Sequence, residues 1–117
     1  MDANGFSHVR ILCGDDAHTF ACATTVKSDP ALAQVVYALG SHNPSRDANA
    51  LATGKPLWGS ELEVADPGGS DTASGIANLF LNVNVTGYMF WNLLTVSRRN
   101  IPMHVAIIDT SGRFLLH

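Results

Sequence analysis

The stretch VVYALGSHNPSRDANALATGKPLWGSE, residues 35–61, contains two apolar runs separated by a polar return. Val35-Val36-Tyr37-Ala38-Leu39 is β-rich and ends at Gly40-Ser41-His42-Asn43-Pro44, a turn signal. Pro56-Leu57-Trp58-Gly59-Ser60-Glu61 is the second run. Neither run alternates polar with apolar residues. Strands that are apolar along their length belong to parallel sheets covered on both faces.

Upstream, Val9-Arg10-Ile11-Leu12-Cys13 reads as a strand that stops at a Gly14-Asp15-Asp16 turn. Ser28-Asp29-Pro30 predicts a short helix, with an N-cap followed by proline at the first helical position. Downstream, a loop around Asp66-Pro67-Gly68-Gly69-Ser70 leads to a helix capped by Asp71 or Thr72. Its apolar residues Ile76, Leu79, Phe80 and Val83 have the spacing of one helical face. Gly87 to Leu94 is a fourth run, and Val105–Asp109 with Phe114–Leu116 has the pattern of a terminal hairpin across Thr110-Ser111-Gly112.

The four runs start near residues 9, 35, 56 and 87. Such gaps suit strand–helix–strand units with parallel crossovers. The expected fold class is α/β, a partial (β/α)8 barrel of four units, about half of the roughly 250 residues that a full barrel needs. Residues 1–94 form the partial barrel in this reading, and residues 95–117 a C-terminal extension.

Active groups in parallel sheets gather at the carboxyl ends of the strands. Polar residues collect at those ends here: Asp15 and Asp16; His42 and Asn43; Ser60 and Glu61; Trp91 and Asn92. Glu61 is the sharpest candidate. A carboxylate at a sheet mouth can attack an anomeric carbon, being both a nucleophile and a leaving group. Trp91 could stack on a sugar face, and His42 could bind a ligand hydroxyl or orient a carboxylate. The plainer readings are a solvated strand-end Glu61 and a structural His42. Glu63 reads as solvent-facing. Asp15 and Asp16 with His18 suggest a metal, although an Asx turn or helix cap suits them better, and Cys13 reads as a buried small residue rather than the partner of a His18 base.

Composition bounds the function. The 117 residues are 46% hydrophobic and only 15% charged, with a formal net charge of -3. That excludes a disordered tail and argues against nucleic-acid binding, which needs a basic stripe. Two cysteines make neither a disulfide framework nor a zinc site. Thr53-Gly54-Lys55 lacks the first glycine and the Ser or Thr of a phosphate loop. Asn84-Val85-Thr86 matches the N-glycosylation pattern. The first residues carry no signal-peptide pattern.

DPALAQVVYALGSHNPS (residues 29–45), ATGKPLWGSELEV (52–64) and GYMFWNLL (87–94) together resemble the galactosylceramidase family, glycoside hydrolase family 59, with GKPLWGSE the most specific block. The resemblance implies the last four units of a (β/α)8 barrel and a retaining β-galactosidase acting on galactosylceramide-type glycosphingolipids. It implies that Glu61 is the catalytic nucleophile after the seventh strand, and that Trp91 and His42 bind substrate. It further implies a lysosomal or secreted location and a lipid-presenting activator protein as partner. No metal or organic cofactor is implied.

This chain departs from the family in three places. Its two glutamates are Glu61 and Glu63, and the Asn-Glu pair that carries the family's acid/base is missing. Leu62 stands where the family has an acidic residue, and Tyr88-Met89 runs almost directly into Trp91-Asn92. A retaining enzyme needs a second carboxyl roughly 5 Å from the nucleophile. The expectation is therefore weak or no turnover by this chain alone, and self-association through open sheet edges. The alternative is a non-catalytic fragment that keeps a sugar-binding rim.

Overall fold

The computed structural model describes Gly5 and residues 8–62 and 70–90. Strands β1 (Ile11–Ala17), β2 (Val36–His42), β3 (Leu57–Leu62) and β4 (Gly87–Phe90) form one sheet in the order β1-β2-β3-β4. Every neighbouring pair is parallel. Helices α1 (Ala23–Ser28) and α2 (Pro30–Val35) follow β1, and α3 (Ala48–Leu51) follows β2. Helix α4 (Ser70–Asn78) precedes β4 and continues as a π-helical segment, Leu79–Val83. Strands consecutive in sequence are adjacent in space, with helices between them. That is an arc of a (β/α)8 barrel. The hairpin expected over Val105–Leu116, the end of the fourth run with Trp91, and Glu63 lie outside the described residues.

Local chemistry explains the short helices. Asp29 Oδ1 accepts from the backbone N–H of Ala31 (2.9 Å) and Leu32 (3.1 Å), with Pro30 opening α2. These bonds satisfy donors that have no partner within the helix. Asp47 caps α3 in the same way, accepting from Asn49 and Ala50. Helix α4 starts at Ser70, so Asp71 lies inside its first turn rather than at the cap. Its predicted apolar face is only partly kept. Leu79 and Val83 are buried, but Phe80 is exposed and packs edge-on against Tyr88 at 6.0 Å. The wider π turn shifts the angular spacing of the residues that follow, so a 3.6-residue period no longer describes this face. Asn84, in the left-handed region at φ 65°, ends the segment.

Phe20, Ala23 and Val26 pack with Val36, Leu39, Leu57, Leu62, Leu79, Val83 and Val85 in one core cluster. Strand β2 lies inside the sheet, and neighbouring Ala38 and Leu39 are both fully buried. Tyr37 is its exposed residue. Its ring carries the Arg10 guanidinium 4.3 Å from the centroid and meets the edge of Trp58.

The register contains two irregularities that matter for the site. Cys13 pairs with Leu39 and Asp16 with Ser41, so Gly14 and Asp15 lie opposite the single Gly40. Ser41 pairs with Gly59 and His42 with Glu61, so Ser60 is an extra residue of β3. These are β-bulges, which bend a strand and re-aim its side chains. The expected turn at Gly14-Asp15-Asp16 is therefore a bulge within β1, which runs on to Ala17. Gly14 makes it possible with φ +88°, a conformation that side chains disfavour.

Gly40 is needed for another reason: a Cβ there would stand 2.7 Å from the Gly14 carbonyl oxygen. Gly40→Ala should destabilise the chain by about 1–3 kcal/mol through overpacking. Gly14→Ala should destabilise it further, because the Cβ adds left-handed strain of about 1–2 kcal/mol. Urea unfolding followed by far-ultraviolet circular dichroism measures both.

Candidate active site

The two bulges bring together residues from three strand ends. Asp15 Oδ1 accepts a hydrogen bond from Ser60 Oγ at 2.7 Å and meets His42 Nε2 at 2.9 Å. The same Nε2 is 3.4 Å from Glu61 Oε2. In a regular strand, consecutive residues point to opposite faces. The β3 bulge removes that restriction, so Ser60 reaches Asp15 while Glu61 reaches His42.

Exposure falls across the cluster. The Asp15 side chain is 73% exposed, while His42 is at 27% and Glu61 at 24%. Facing two carboxylates, Nε2 must carry the ring hydrogen whether the imidazole is neutral or charged. The shorter distance gives that hydrogen to Asp15. At 3.4 Å the Glu61 contact is longer than an ordinary hydrogen bond.

The backbone beneath the cluster is tied across strands. The fully buried Ser41 donates its hydroxyl to the Asp16 carbonyl at 2.8 Å, linking β2 to β1. The His18 N–H donates to the His42 carbonyl (2.7 Å), and the Asn43 N–H to the Glu61 carbonyl (3.0 Å). His18 and Asn43 both have positive φ, and His18 Nδ1 lies 3.2 Å from the Asn43 carbonyl oxygen. These bonds hold the ends of β1, β2 and β3 level.

Electrostatics separate the roles. The hydrogen bond from Ser60, then that from His42, hold the Asp15 carboxyl below its ordinary value. Asp15 is thus an acceptor kept ionised, unsuited to donate a proton. Burial first, then its interaction with Cys13, pushes the Cys22 thiol up to about 12. Its Sγ donates to the Cys13 carbonyl at 3.0 Å, and such a thiol is a poor nucleophile. Cys13 is half-buried rather than fully buried.

Of the sequence candidates, the structure brings Glu61 and His42 together, whereas Trp91 lies outside the described residues. Asp15 and Asp16 do not form a turn with His18, and among the described residues no group of three or more His, Cys, Asp or Glu could hold a metal ion. Asp15 and Ser60, strand-end polar residues in the sequence, join the site through contacts that the sequence does not reveal. An isolated glycine within a strand pattern, here Gly14, is the available signal for a bulge. A depression of about 410 Å³ lined by Arg10, Val36, Tyr37 and Lys55 lies at the opposite, amino ends of the strands.

The titration of Asp15 tests these contacts. Its carboxyl carbon signal should show a midpoint below the ordinary 3.8, and Ser60→Ala should move that midpoint upward. Because the folded value is depressed, the stability linked to Asp15 is present above the ordinary value of 3.8 and is lost as pH falls through the lowered value.

Comparison with known proteins agrees with this architecture. A glycoside hydrolase family 30 subfamily 8 xylanase, Xyn30A from Clostridium acetobutylicum, superposes with a TM-score of 0.62 at 26% sequence identity. The match covers 96% of this chain and 30% of the xylanase, so the chain spans less than a third of that protein. A search of curated proteins finds no match. The profile of Glycosyl hydrolase family 59 matches residues 1–109. The chain belongs to glycosyl hydrolase family 59.

Proposed function

We propose that this chain carries the nucleophile side of a retaining β-galactosidase acting on galactosylceramide-type glycosphingolipids, with Glu61 as the nucleophile. The observation that carries the reading is Glu61 itself. Its carboxylate stands at the carboxyl end of a parallel strand, three-quarters sheltered, beside His42 Nε2 but without a short bond to it. In a family 59 chain, that is where a carboxylate must stand to reach an anomeric carbon from the sheet mouth.

The first chemical step forms a bond between a Glu61 oxygen and the anomeric carbon and breaks the bond from that carbon to the aglycone oxygen. Water later cleaves the glycosyl ester and regenerates the carboxylate. His42, and Trp91 by resemblance, bind the sugar. A natural aglycone leaves with a proton, which a second carboxyl must provide. Asp15, kept ionised, does not suit that role. Proton donation is worth roughly 10²- to 10⁴-fold, so slow turnover of natural lipids by the chain alone follows.

Incubation with a 2-deoxy-2-fluoro-β-galactosyl fluoride tests the nucleophile without the acid, because fluoride leaves unaided. Intact mass and peptide mapping should find one adduct, on Glu61, and none on Glu61→Gln. A folded sample that forms no adduct, yet melts at a higher temperature with galactose, would replace this reading with a non-catalytic sugar-binding module.

A further inference from the structure

We infer that Asp15 is a positioning residue of this site: it fixes the His42 ring with Nε2–H turned toward itself, and so leaves the Glu61 carboxylate free to react. The inference deepens the proposed function and rests on it for the role of Glu61. The position of the ring stands on geometry alone.

Nε2 has two carboxylates in reach and one hydrogen. Asp15 takes it at 2.9 Å, against 3.4 Å for Glu61. If Asp15 were removed, Glu61 would be the carboxylate left beside that hydrogen. The ring would then either donate to Glu61, occupying a lone pair needed for attack, or turn away. Both outcomes slow the nucleophile.

An exposed aspartate is usually a mobile surface group, but here the surroundings restrict it. Both Ser60 Oγ and His42 Nε2 meet the same oxygen, Oδ1. The backbone on which Asp15 sits is held at a bulge by Gly14 packed against Gly40, and at Asp16 by buried Ser41. Three strands thus converge on one carboxylate oxygen. Exposure supports the role, because a solvated carboxylate stays ionised at little cost while Glu61 stays sheltered.

The test combines a ring spectrum with a rate. Long-range proton–nitrogen correlation on the uniformly 15N-labelled chain identifies which ring nitrogen of His42 carries hydrogen. The native chain should show hydrogen on Nε2. Asp15→Ala should shift the His42 Nε2 and Nε2–H signals, whether the ring turns to Glu61 or away, and slow adduct formation with the fluorinated galactosyl fluoride by roughly 10- to 100-fold, the cost of a small misplacement. Asp15→Asn keeps an acceptor oxygen and should restore the signature and most of the rate. Ser60→Ala, with Asp15 retained, should fall between. Unchanged His42 signals in a folded Asp15→Ala chain, or an unchanged rate of adduct formation, would overturn the inference. If the native chain forms no adduct while its ring signature still depends on Asp15, the nucleophile reading fails and the positioning of His42 stands.

Discussion

The close approach of Gly14 to Gly40 is the contact on which the site depends. The extra residue of β1 is held by an unusual backbone angle and by a facing strand that leaves room for it. Gly14 provides the angle and Gly40 the room. With a side chain at either position, β1 would have to move from β2 or lose its bulge, and Asp15 would no longer lie over the end of the sheet. The core cluster, which includes Phe20 and Val85, provides the rigidity that makes this fine adjustment useful.

Above that contact, the cluster divides labour by exposure. Asp15 remains in water, where charge is cheap, and takes the directional hydrogen bonds. Glu61 is sheltered, where Coulomb interactions are stronger, and keeps only a loose contact with the imidazole. A half-buried histidine between them is held without tying up the sheltered carboxylate. Two equal hydrogen bonds would have held the ring more firmly but left Glu61 less reactive.

Much of this was legible in the sequence. Unbroken apolar runs announced parallel strands, and the Asp29-Pro30 pair announced a helix start that the structure shows, cap bonds included. Glu61 and His42 were found because strand ends are where such sheets place polar groups. The same rule puts Asp15 and Ser60 at strand ends but gives neither a role beside His42, because a bulge is a property of two strands at once. Gly14 looks like the end of a strand until its partner is known to be another glycine. Phe80 was misplaced for a related reason: one π turn breaks the period on which the reading of an amphipathic face relies.

Because consecutive strands lie side by side, Asp15, His42, Ser60 and Glu61 all come from three neighbouring units, and none is supplied from across the sheet. The arrangement behaves as a heritable cassette. Duplication, fusion or recombination that moves the segment from β1 through β3 carries the entire cluster with it, whereas a break anywhere inside that segment destroys it. Exchange between barrels is thus expected to leave this stretch whole and to vary what surrounds it.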